Sequence, residues 1–137
     1  MQGSGTIELT SSIALSDQVT IDSGKTIILD MNGETLSIGF SDSSKNLIVN
    51  NGTLTITGDG TFDATEATSY KGFINNYGTL TVENGTFQIA DKAMTVHLRN
   101  QDGGKAVING GTFSGGATIV RSFEGSNTTI TGGSFTN

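Results

Sequence analysis

Apolar and polar residues alternate along most of this chain, in runs too short for helices. Thr6-Ile7-Glu8-Leu9, Val19-Thr20-Ile21, Leu36-Ser37-Ile38, Leu54-Thr55-Ile56, Leu80-Thr81-Val82 and Thr128-Thr129-Ile130 place apolar or β-branched residues at every second position. In an extended strand that spacing puts them on one face. Ile27-Ile28-Leu29 and Leu47-Ile48-Val49 are continuous apolar runs of strand length. No stretch keeps helical spacing for more than two turns. Asp63 to Tyr70, rich in Ala and Thr, reads as a protruding loop.

The strands belong to a larger repeat. Gly52-Thr53-Leu54-Thr55-Ile56 leads to Gly60-Thr61-Phe62, and Gly78-Thr79-Leu80-Thr81-Val82 to Gly85-Thr86-Phe87. Ala106-Val107-Ile108 leads to Gly111-Thr112-Phe113, and Thr128-Thr129-Ile130 to Gly133-Ser134-Phe135. The phenylalanines recur about every 22 to 26 residues, the signature of stacked units that cannot bury their apolar faces alone. Alignment predicts inward rows of Leu54, Leu80, Ala106 and Thr128, of Ile56, Val82, Ile108 and Ile130, and of Phe62, Phe87, Phe113 and Phe135. Ile48, Ile74, Val96 and Ile119 fall on the preceding strand of each coil. Asn32-Gly33, Asn51-Gly52, Asn84-Gly85 and Asn109-Gly110 are expected to supply left-handed turns and to hydrogen-bond along the stack.

The predicted fold is therefore all-β: a right-handed parallel β-helix, or β-solenoid, of about five or six short coils. The hand follows from the bias of parallel crossovers. An antiparallel sandwich also uses short strands, but it gives no reason for one cassette to recur. The chain reads as a single domain over residues 1–137, with less regular coils over 1–38 and regular ones over 39–137. Coils rising about 4.8 Å each give a rod on the order of 25 Å long.

Composition agrees. Only 34% of the 137 residues are apolar, as a thin solenoid core requires, and proline is absent, so no ladder donor is lost to it. The net charge of −6, with seven scattered Lys and Arg, is unlike the basic stripe of a nucleic-acid binder. With no cysteine, disulfides and thiolate chemistry are excluded. No apolar run reaches membrane-spanning length, so membrane insertion is not expected. The start, Met1-Gln2-Gly3-Ser4-Gly5, lacks the pattern of a secretory signal. That fits a piece of a secreted protein or a virion component released by lysis.

The stretch Gly24-Lys25-Thr26-Ile27-Ile28-Leu29-Asp30-Met31-Asn32-Gly33-Glu34-Thr35-Leu36 resembles the opening coil of bacterial cell-surface β-helix domains. Asn50-Asn51-Gly52-Thr53-Leu54-Thr55-Ile56 and Asn109-Gly110-Gly111-Thr112-Phe113 are similar to the coils that follow there. From about Thr6 onward the chain looks like the pectate-lyase-like right-handed β-helix superfamily. That superfamily includes polysaccharide lyases and hydrolases, adhesins, and phage tailspikes or other virion proteins. The resemblance implies a fold and leaves the function to be argued from sites.

Candidate chemistry is sparse. His97, the only histidine, would be a lone base or metal ligand; the plainer reading makes it an exposed strand residue. Asp59 and Glu83, one coil apart, would offer Ca²⁺ oxygen ligands together with Asn84, and are otherwise turn formers. Lyases of the resembled superfamily use clustered Asp ligands and a basic residue. Arg99 and Arg121 lie one coil apart and would flank an acidic sugar, but no acidic cluster accompanies them. Tyr70, Phe73 and Tyr77 gather around the predicted loop as a candidate binding surface for carbohydrate or protein. Ile130 and Phe135 lie in the last coil, where residues 130–137 carry neither charge nor proline to blunt the strand edges.

The expected function is a non-enzymatic structural or adhesive β-solenoid, extracellular, on a phage virion (decoration, fibre or spike) or a bacterial surface. The alternative is a carbohydrate-binding module or a fragment of a polysaccharide lyase or hydrolase. Expected partners are another protein or the chain's own subunits stacked on the coil ends through Ile130 and Phe135, and surface carbohydrate. No catalytic residue, cofactor, metal or nucleic acid is expected.

Overall fold

The chain winds as a β-solenoid, seen in a computed structural model that describes residues 3–40, 42, 44–66, 72–90 and 96–136. The first coil holds β1 (Gly5–Glu8), β2 (Ile13–Leu15) and β3 (Val19–Ile21); the second, β4 (Thr26–Asp30), β5 (Thr35–Ile38) and β6 (Asn46–Asn50). The third holds β7 (Thr53–Thr57), β8 (Thr61–Ala64) and β9 (Gly72–Asn76); the fourth, β10 (Thr79–Val82), β11 (Thr86–Ile89) and β12 (Val96–Asn100). The fifth holds β13 (Lys105–Ile108), β14 (Thr112–Ser114) and β15 (Thr118–Ser122). A last, partial coil adds β16 (Asn127–Ile130) and β17 (Ser134–Thr136). Among the described residues there is no helix.

Every strand pairs in parallel with its counterpart one coil away, giving three sheets: β1-β4-β7-β10-β13-β16, β2-β5-β8-β11-β14-β17 and β3-β6-β9-β12-β15. Stacking forces like onto like. Leu54, Leu80 and Ala106 pair directly, as do Ile56, Val82 and Ile108. Phe62, Phe87, Phe113 and Phe135 form one continuous column. Successive rings lie 4.5, 4.5 and 5.1 Å apart with planes within 6° of parallel. That spacing is close to the rung separation of a β-sheet, about 4.8 Å, so the backbone repeat dictates the ring stack. The cassette opens on glycine because the phenylalanine ring two residues on lies over it: a Cβ at Gly85, Gly111 or Gly133 would press on Phe87, Phe113 or Phe135. These glycines also have φ of 121°, 99° and 105°.

Ile48, Ile74, Val96 and Ile119 all lie on the preceding strand of their coils, as expected, but not in one register. Ile48 and Ile74 are neighbours, but the row continues through Leu98 and Val120, not Val96 and Ile119. Strands of the third sheet bury consecutive residues, Leu47-Ile48, Phe73-Ile74 and His97-Leu98, so alternation does not reveal their register. Val96 instead pairs with Gly72, where any side chain would overlap the Val96 carbonyl. Three of the Asn-Gly asparagines do bond to the preceding coil, Asn32 to the Leu9 carbonyl, Asn84 to Asp59 and Asn109 to Glu83, but the asparagine-on-asparagine ladder is formed by other residues. Buried Asn50 donates to Asn76 at 2.8 Å and Asn76 to Asn100 at 2.9 Å. Of the asparagines in Asn-Gly pairs only Asn32 has positive φ, 49°. Finally, Asp63 and Ala64 belong to β8, so the predicted loop begins later than Asp63.

Candidate functional site

The outward face of the third sheet carries the densest polar chemistry. Asn50, Asn76 and Asn100 point inward, so the residues on either side of each point out. One outward row is Val49, Asn75, Arg99 and Arg121, in direct register on four coils. The next is Asn51, Tyr77, Gln101 and Phe123, each with its N–H bonded to the coil below. The two rows are knitted together. Gln101 Nε2 donates to Asn75 Oδ1 at 2.6 Å, and Asn75 Nδ2 to the Tyr77 hydroxyl at 3.4 Å. The Arg121 guanidinium sits 4.8 Å from the centre of the Phe123 ring, a cation–π contact. Partial burial, and then the charge of neighbouring Arg121, hold Arg99 below the usual arginine range.

Of the predicted aromatic surface, only Tyr77 stands on this face, 48% exposed. Phe73 is fully buried, edge-on to Phe62 and Phe87, and is a core residue rather than a contact. Tyr70 lies outside the described residues.

His97 is also corrected: it is buried, not exposed. Its ring packs 5.6 Å from Phe73 and 5.9 Å from Phe113, in the inward position that Leu47 and Phe73 hold on the coils before. Its Nε2 meets the Gly115 carbonyl at 3.0 Å, while Nδ1 has no hydrogen-bond partner among the described residues. Desolvation lowers its pKa, against the raising effect of the Gly115 and Ser114 carbonyls. The neutral imidazole serves as a packed core ring, shut off from any substrate.

The carboxylates do not converge. Asp59 accepts from Asn84 Nδ2 at 2.7 Å, and both Glu83 oxygens accept from Asn109 Nδ2 at 3.2 Å. Each is therefore tied to an asparagine on the next coil. Among the described residues no three His, Cys, Asp or Glu side chains gather to hold a metal ion. Nor is any helix there long and apolar enough to cross a membrane.

Among the described residues no strand lies beyond the first or the last coil. On the last coil Ile130 is 50% and Phe135 38% exposed, and β16, β17 and β15 have no strand beyond them among the described residues. At the other end an apolar cavity of about 140 Å³ is lined by Ile7, Leu9, Ile13, Leu15, Ile21 and Leu36, among others. It forms where the phenylalanine column gives way to the smaller Leu36 and Ile13.

No protein-family model, curated protein or solved structure matches the chain.

Proposed function

We propose that this chain is a non-enzymatic structural or adhesive β-solenoid, a rigid segment of a virion or bacterial surface assembly that joins protein at its coil ends. The observation that carries the reading is the contrast, among the described residues, between a sealed interior and the apolar surface of the outermost coils. Phe62, Phe87 and Phe113 are sealed, whereas Phe135 and Ile130 leave apolar surface on the last coil and the cavity opens the first. Bare parallel edges offer unpaired donors and acceptors to a further strand. The partner is a protein or another copy of the chain; contact between unlike ends that does not close would build filaments. The dispersed carboxylates and the buried histidine support a role without catalysis.

Sedimentation and electron microscopy over a range of concentrations test the reading. End-to-end association, or a partner on the last coil of the native assembly, is expected, and Phe135→Glu should abolish it. A native monomer with Ile130 and Phe135 in solvent and nothing over the last coil would refute it. So would release of reducing or unsaturated sugar ends that depends on Arg99, Arg121 or Glu83.

The carbohydrate-binding alternative draws its support from a separate feature, the Tyr77 and arginine face of the third sheet.

A further inference from the structure

We propose that the aliphatic cavity at the first coil is a binding site for a single uncharged aromatic ring. The inference stands apart from end-on joining: a partner laid over the first coil would cover the cavity and leave its walls unchanged. The cavity holds about 140 Å³, and apolar cavities of about 150 Å³ take up benzene or xenon. Among the described residues every side chain in its wall is aliphatic, including Ile7, Leu9, Ile21, Ile27, Leu29 and Leu36. A buried water is held by two or more polar partners, and these side chains offer none. Water in the cavity is therefore poorly ordered, and its displacement by an apolar group favours binding. A carboxylate or ammonium would lose its hydration there without a counter-charge, so the site selects uncharged guests.

The stack itself points to a ring as the guest. The third coil buries Phe62 and Phe73, and the fourth buries Phe87 and His97. In the second coil the matching positions hold Leu36, in register with Phe62, and Leu47, which precedes Ile48 as Phe73 precedes Ile74. In the first coil the phenylalanine position holds Ile13. Every coil is built on the same paired sheets, so the cross-section is shared, and branched aliphatic side chains fill less of it than rings do. Coils about 4.8 Å apart accept flat rings one per rung, as the 4.5 Å between Phe62 and Phe87 shows. Ile13 is 40% exposed, and Ile7, Leu15 and Val19 on the same coil are half-buried, so the cavity reaches the surface there. A ring enters by that mouth, with any polar substituent left outside. A free aromatic molecule and a phenylalanine side chain of a second copy carry the same ring, and the test separates the two sources.

The experiment is NMR titration of the full chain, labelled at isoleucine and leucine methyls, with benzene. Saturable shifts are expected at Ile13, Leu36 and Ile48, which line the cavity, and none at Ile108, sealed in the fifth coil. Pyrazine has the same shape with a nitrogen at each end. It must bury an acceptor against a wall without donors, and should bind about tenfold weaker or more. Leu36→Phe continues the phenylalanine column into the cavity and should weaken benzene about tenfold or more. Ile13→Phe, at the mouth, should weaken it as well and serves where Leu36→Phe does not fold; thermal melts decide that. Phe135→Ala identifies the source of the ring. Tighter benzene binding in that variant, with wild-type self-association falling as benzene is added, assigns the ring to a second copy; unchanged binding assigns it to a free molecule. Shifts that do not saturate or that extend equally to Ile108, equal binding of pyrazine, or undiminished affinity in a folded Leu36→Phe or Ile13→Phe would overturn the proposal.

Discussion

Replacing Phe87 by Ala tests the column that organises the stack. Its ring is buried between Phe62 and Phe113, each 4.5 Å away and within 5° of parallel, with Phe73 edge-on at 6.1 Å. Truncating a sealed phenylalanine costs about 3–5 kcal/mol in lost transfer energy and cavity. The upper half of that range is expected here, because two face contacts and one edge contact vanish together, at about 0.5–1.5 kcal/mol each. Phe135 is the internal control. Among the described residues it has one ring neighbour, at 5.1 Å, and it is 38% exposed, so Phe135→Ala should cost only about 1–2 kcal/mol. Phe87→Leu keeps most of the volume and removes the stack; a loss of about 1.5 kcal/mol would separate ring contacts from filling. The assay is urea unfolding followed by circular dichroism. Total stability for a domain is on the order of 5–15 kcal/mol, so Phe87→Ala should shift the midpoint strongly. A mid-stack lesion can also split the transition, because coils couple only to their neighbours. A loss below about 1 kcal/mol, or one equal to that of Phe135→Ala, would show that the column does not hold the coils together.

Two further outcomes follow from buried polar groups. Asn76 gives hydrogen bonds to Asn100 at 2.9 Å, to the Gly78 carbonyl at 3.1 Å and to the Lys105 carbonyl at 3.0 Å. Asn76→Ala should therefore cost about 2–4 kcal/mol, and Asn76→Asp more, since it turns a carboxylate oxygen toward those acceptors; denaturant midpoints at neutral pH decide the order. His97 is held below its ordinary pKa of 6.5 by burial, so the unfolded chain takes the proton first. Stability should be full above that value and fall as pH drops through it, until the folded state also protonates. Melting temperatures from pH 8 to 5 should show this slope in the wild type and lose it in His97→Leu, which matches Leu47 on an earlier coil; equal slopes would refute the assignment.

How much was legible in the sequence depended on the sheet. In the first two sheets one residue in two faces inward, so the cassette gives both the register and the phenylalanine column. In the third sheet Leu47-Ile48, Phe73-Ile74 and His97-Leu98 are buried as pairs, and alternation fails. That failure put His97 outside. A usable signal was present: Leu47-Ile48-Val49-Asn50, Phe73-Ile74-Asn75-Asn76 and His97-Leu98-Arg99-Asn100 share two inward positions, one variable position and one asparagine. Aligned on that asparagine, they give the buried ladder and the outward row of Val49, Asn75 and Arg99 at once. The Asn-Gly pairs obscured it, because turn chemistry explains an asparagine without requiring a buried one.

The same alignment separates what stacking must keep from what it leaves free. An inward position is constrained by the coils above and below, so Phe on Phe and Asn on Asn recur for geometric reasons and carry no information about partners. An outward position meets no such demand. The row from Val49 through Asn75 to Arg99 and Arg121 changes from apolar to amide to cation within four coils, so stacking does not explain its content. Recognition is therefore to be sought in that row and at the two ends. These are orthogonal surfaces: a partner added along the axis leaves the side of the third sheet uncovered.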